Sequence, residues 1–110
     1  MAGKFDLKRT DSGKFMFNLL AGNNQVILTS ELYDSKSAAQ KGIASVRQNA
    51  GEDSRFERKS SKNGDPYFVL MAGNGRQIGR SEMYTGVAAM ENGIASVTAN
   101  APTAEIVDNT

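Results

Sequence analysis

The chain is written twice. With an offset of 51 and no gap, residues 5–50 align on residues 56–101, and 20 of the 46 aligned pairs are identical. Nothing else in the sequence constrains the fold as much, because whatever unit the first copy forms must be formed again and the two must close on each other. A two-copy array with so long a period is too short for a solenoid. The reading is therefore one domain, 1–110, made of repeats 5–50 and 56–101, a short polar linker 51–55 and a tail 102–110.

Within a copy, the periodicity changes once. Phe5, Asp6, Leu7, Lys8 and Arg9 alternate apolar with polar, and Asp11-Ser12-Gly13 supplies a turn. Residues 14–21 place Phe15, Phe17, Leu19 and Ala21 on one face, so this strand is apolar enough to be central. Gly22-Asn23-Asn24 and Gly73-Asn74-Gly75 are hairpin turns, and third strands follow at 25–30 and 76–81. The period then becomes helical: Ala39, Ile43, Val46 and Ala50 recur as one stripe, as do Met90, Ile94, Val97 and Ala101. Asp34 or Ser35 is the expected N-cap of the first helix and Thr85 of the second; Asn49 and Asn100 are expected to close the helices in a left-handed conformation.

The fold class is thus α+β, a tandem β-β-β-α duplication whose antiparallel strands pack against two helices around a pseudo-twofold axis. The expected core is Phe17, Leu19, Ile27, Ile43 and Val46, with Phe68, Leu70, Ile78, Ile94 and Val97 as counterparts. A second stripe, Ala38, Gly42, Ser45 and Asn49, returns unchanged as Ala89, Gly93, Ser96 and Asn100. Glycine inside a helix costs about 1 kcal/mol relative to alanine, so its presence in both copies implies a close neighbour, either the sheet or the opposite helix. Ala104 to Val107 reads either as a short added strand or as a frayed tail.

Cysteine and histidine are both absent. That removes disulfides, thiolate metal sites, the commonest general base and the most reactive nucleophile. No P-loop, nucleophile elbow or dinucleotide fingerprint is present. The expectation is a protein that is not an enzyme and takes no cofactor or metal. Charged residues at Lys4, Asp6, Lys8 and Arg9 leave no apolar region for a secretory signal, and a cytoplasmic location is expected.

Several of these residues together resemble a known family. The twin Ser-Glu-x-Tyr and Gly-Ile-Ala-Ser-Val-x-x-Asn motifs, the opening Met-Ala-Gly and the closing Ile-Val-Asp-Asn-Thr are similar to the bacterial YegP family over the whole chain. The resemblance implies a tandem β-β-β-α fold, of which single-copy relatives form the equivalent as dimers. It implies no activity and no catalytic residue, since the family is uncharacterised.

The polar cluster kept in both copies is Ser30, Glu31 and Tyr33 with Ser81, Glu82 and Tyr84. It could hold a small polar ligand or cation between the halves. The plainer reading is structural: a serine satisfying backbone groups where strand gives way to helix, and a tyrosine packing its ring. A nucleic-acid surface is the alternative. Net charge is only +1, but all thirteen Lys and Arg lie in residues 1–80, against eight acids there. Lys8, Arg9, Lys14, Arg55, Arg58, Lys59 and Lys62, with Tyr67, could line a basic strand face. Against this, the second helix carries no base and the phenylalanines belong in the core. The function favoured by elimination is a non-enzymatic binding or interaction module for a protein or small ligand, self-sufficient as a monomer, with RNA or single-stranded nucleic acid as the alternative and an enzyme less favoured still.

Overall fold

A computed structural model describes residues 3–110; Met1 and Ala2, at the start of the expected signal-free terminus, lie outside it. The repeat is realised as two β-β-β-α units. Strands β1 (Lys4–Arg9), β2 (Phe15–Leu20) and β3 (Val26–Ser30) lead into α1 (Lys36–Asn49), and β4 (Phe56–Ser60), β5 (Pro66–Met71) and β6 (Gln77–Arg80) into α2 (Val87–Asn100). A last strand, β7 (Glu105–Asn109), follows. All seven form one sheet in the order β4-β5-β6-β3-β2-β1-β7. The halves join through β3 and β6, which pair antiparallel at Thr29↔Arg80 and Ser30↔Gly79, so the pseudo-twofold axis passes between them.

Turn chemistry sets the hairpins. Gly13 and its equivalent Gly64 have φ of 83° and 84°, and Asn24 and Gly75 have φ of 68° and 83°. Four tight left-handed turns thus fall at the same points in both copies. A bulge between Leu19 and Leu20 recurs between Leu70 and Met71.

The ten core residues expected from the sequence are all buried. Phe5 and Leu7 opposite Leu19 and Phe17, and Phe56 opposite Leu70, put the phenylalanines and leucines on the face that meets the helices. There Phe5 meets Phe17 edge to face at 5.8 Å and Phe56 meets Phe68 at 5.6 Å. At the axis the copies diverge: Leu28 is fully buried, and its equivalent is Gly79, where a Cβ would lie 2.8 Å from the Thr29 carbonyl and 3.1 Å from Leu28 Cγ. One leucine fills space that two could not share.

Two helix-end expectations are corrected. Ser35 caps α1, accepting from the Ala38 N–H at 3.1 Å, but the second helix is capped at Gly86 and not at Thr85, without a side-chain bond. Gly86 is the repeat equivalent of Ser35, so the cap position is preserved while its chemistry is lost. Asn49 and Asn100 are not left-handed closers. Both remain helical, each donating through Nδ2 to the carbonyl four residues back at 2.8 Å, and the chain leaves through Ala50 and Ala101 in right-handed geometry.

The tail is a strand. β7 runs parallel to β1 from Lys4↔Glu105 to Lys8↔Asn109. It is anchored from α1, where Arg47 donates to the Ala104 carbonyl at 2.5 Å and Lys36 pairs with Asp108.

Candidate functional site: the Ser-Glu-x-Tyr elements and the uncovered sheet face

The Ser-Glu-x-Tyr elements leave the third strand of each copy and turn toward the helix. Ser30 Oγ accepts from the Phe17 N–H at 2.9 Å and donates to the Glu31 carbonyl at 2.8 Å; Ser81 does the same with Phe68 and Glu82 at 3.0 and 2.8 Å. Each hydroxyl satisfies one donor and one acceptor that a buried strand end would otherwise leave open.

Each tyrosine then lies flat between sheet and helix. Tyr33 stacks on Phe17 with centroids 6.3 Å apart and planes at 11°, and Tyr84 on Phe68 at 6.3 Å and 12°. Their hydroxyls occupy the space over the helix glycines. A Cβ at Gly42 would lie 2.4 Å from Tyr33 Oη, and one at Gly93 2.3 Å from Tyr84 Oη. The glycines therefore face the sheet side through a tyrosine, which decides between the two alternatives the sequence left. Burial pushes Tyr33 up from the usual phenol range, the Glu31 carboxylate adds to this, and Arg76 works against it; burial and then Glu82 push Tyr84 the same way. Both phenols stay neutral and packed.

Glu31 and Glu82 are exposed. Glu31 Oε2 accepts from Gln77 Nε2 at 3.0 Å across the junction of the halves. Among the described residues no group of three or more Asp or Glu side chains is arranged to hold a metal.

The residue inside each element is the one sequence reasoning passed over. Leu32 is 61% exposed and its equivalent Met83 50% exposed, although both are large and apolar. Two such residues at matched positions are a signal the alignment already contained, hidden because the position is not identical between copies. Leu32 borders a cleft of about 370 Å³ with Met16, Thr29, Gln77 and Arg80. Met16 and Thr29 alternate with the buried Phe17 and Leu28, so this cleft opens on the face of the sheet opposite the helices. On that same face Val69 is buried although no helix covers it, lying between Glu57 and Arg80 in the strand register.

The eight residues of the nucleic-acid alternative do not share a face. Lys8 and Lys59 are repeat equivalents on the uncovered side, with Tyr67 opposite Lys59 in register, but Lys8 lies 3.4 Å from Asp6 and Lys59 3.4 Å from Glu57. Lys14 pairs with Asp34, and Arg55 lies 3.0 Å from Glu52. Lys62 sits in a hairpin turn and Arg9 at the end of β1. Arg58 is on the helix side, bonded to Glu91 through Nε at 2.6 Å and Nη2 at 2.9 Å, and to Asp53 at 2.8 Å. These bonds hold Glu91 below the usual carboxylate range and Arg58 above its own. With Ile94, Ala95 and Thr98 they line a second groove of about 400 Å³ between α2 and the β4 edge.

Comparison with known proteins agrees with this architecture. Residues 11–57 and 61–108 each match the family described as "Domain of unknown function (DUF1508)". The first match begins after β1 and ends two residues into β4, and the second begins after β4 and takes in most of β7. A UPF0339 protein of Bordetella pertussis is 56% identical over 110 residues, covering 100% of this chain and 98% of its own. The UPF0339 protein YegP of Escherichia coli K12 is 50% identical over 110 residues and the whole of both chains. The solution NMR structure of yegP from E. coli, described as a protein of unknown function, superimposes with a TM-score of 0.95 over 100% of this chain and 95% of that one. The solution structure of a UPF0339 protein from Shewanella oneidensis gives 0.92 at 46% identity, over 98% and 92%. Matching both in sequence along its whole length and in fold, the chain belongs to the UPF0339 (YegP) family, built from two DUF1508 repeats.

Proposed function

We propose that the protein is a non-enzymatic protein-interaction module and that it binds its partner on the uncovered face of the sheet. The observation that carries this is the pair Leu32 and Met83. Two large apolar side chains at equivalent positions stay exposed while the serine and tyrosine on either side of each are spent on the fold. Exposed apolar side chains set among polar ones are the composition of a protein interface, whereas nucleic acid calls for a preponderance of positive charge. Here Lys8 and Lys59 on the uncovered face are each paired within their own strands, with Asp6 and Glu57. The Ser-Glu-x-Tyr elements serve mainly as supports that aim the two apolar residues outward.

The test is site-specific photo-crosslinking in cells, with the photoreactive residue at position 32, at 83, or at the exposed Lys41 on α1. The same identified protein should be captured from 32 and 83 and not from 41. Capture from 41 alone, nucleic acid at 32 and 83, or no adduct from any position contradicts the reading.

A further inference from the structure

The geometry points to a specific kind of partner: an extended peptide segment with an acidic residue midway between two large apolar ones. This rests on the uncovered face being the binding surface. Arg80 forms no ion pair among the described residues, as is also true of Lys4, Arg9, Lys41, Arg47, Lys62 and Arg76, and what distinguishes it is its place. It lies at the pseudo-twofold axis, directly across from Thr29, and borders the cleft next to Leu32. Thr29 is also its repeat equivalent, so the two copies together place a single cation at the centre of the face.

Leu32 lies three residues beyond Thr29 and Met83 three beyond Arg80 on antiparallel strands, so they stand on opposite sides of that cation. The repeat symmetry thus sets an apolar side chain on either side of Arg80, within reach of one extended segment laid across the axis. The nearest acid bordering the cleft, Glu31, is already engaged with Gln77. A carboxylate on Arg80 with an apolar side chain over Leu32 and another over Met83 therefore satisfies the three groups that the centre of the face leaves open, and a charge-assisted hydrogen bond fixes the register.

The probe is a capped heptapeptide with leucine at both ends, aspartate in the middle and serine elsewhere, titrated into the full chain labelled with 15N. Saturable shifts should appear at Leu32, Arg80 and Met83. Arg80→Gln, or lysine in place of the peptide's aspartate, should weaken binding at least fivefold, about 1 kcal/mol. No saturable shift up to about 5 mM, equal affinity for the lysine peptide, or tighter binding of a ten-residue oligouridylate overturns the proposal. If crosslinking from 32 and 83 succeeds while the peptide fails, the acidic chemistry is wrong and the surface right; failure of both removes the surface as well.

Discussion

The two edges of the sheet descend from the same strand and have been finished differently. At one edge β1 is covered by β7, and Phe5 and Leu7 are fully buried. At the other, β4 is uncovered, and the residue equivalent to Leu7 is Arg58, held by Asp53 and Glu91. An open sheet edge invites pairing with another chain, and charged side chains discourage it. The difference teaches that a duplicated unit keeps its interior and adapts its boundary: the tyrosine-on-glycine packing is the same in both halves to within 0.1 Å, while the edges part at Leu7 and Arg58 and in the strand that covers only one of them.

Exchanging the edge residues breaks this comparison most severely. Leu7→Arg should cost at least about 3 kcal/mol, because the charge would be buried between sheet and helix, and the acid in register with it, Asp108, is already paired with Lys36. Arg58→Leu should change stability by no more than about 1 kcal/mol, since the Arg58 pairs are solvent-exposed, but should promote self-association. Denaturant unfolding and sedimentation read both, and equal costs would show that the edges are not different environments.

The interior should behave oppositely. Gly42→Val and Gly93→Val should each cost about 1–3 kcal/mol by displacing a tyrosine ring, and the two values should agree. Each cost should shrink when the facing Tyr33 or Tyr84 is alanine, as a double-mutant cycle would show. Ser35→Ala should cost about 1 kcal/mol through the lost cap, whereas Gly86→Ser should add a few tenths, making the second helix resemble the first.

The smallest effect is local. Lys36, followed by Thr110, holds the Asp108 carboxyl below its ordinary range. A lowered folded-state pKa contributes stability above the unfolded value, about 4, and loses it as pH falls. Amide exchange in β7 should therefore accelerate relative to β2 on acidification below about pH 4. Unchanged relative protection would mean that the Lys36 contact does not anchor the strand.

Much of this architecture was legible in the chain. Period-two and helical stripes gave the strands, the helices and all ten core residues, since each is set by local alternation. The resemblance carried by the Ser-Glu-x-Tyr motifs led to the right family. What escaped depended on contacts distant in sequence. Ala104 to Val107 could not be told from a frayed end because its partner, β1, lies a hundred residues away. Asn49 resembles a left-handed closer by type, yet its amide bonds back to Ser45, which keeps it helical. Arg58 and Lys59 look alike in sequence, but alternation sends one to the helix side and the other to the open face. Reversing both charges to probe nucleic-acid binding would therefore also break the bonds to Asp53 and Glu91. Leu32 and Met83 carry no mark in the alignment, because they differ between the copies, and a binding surface can lie where the copies differ.

The central claim is that the shared residues build the fold while Leu32 and Met83 meet the partner. The most direct test compares the double variant Leu32→Asp with Met83→Asp against Val87→Asp, which alters a residue 64% exposed at the start of α2. Unfolding midpoint and yield of the crosslinked partner would be read together, with the photoreactive residue at position 16. The account predicts that both variants keep the wild-type midpoint and that only the double variant loses the partner. An unfolded double variant, or full capture by it, would contradict the claim.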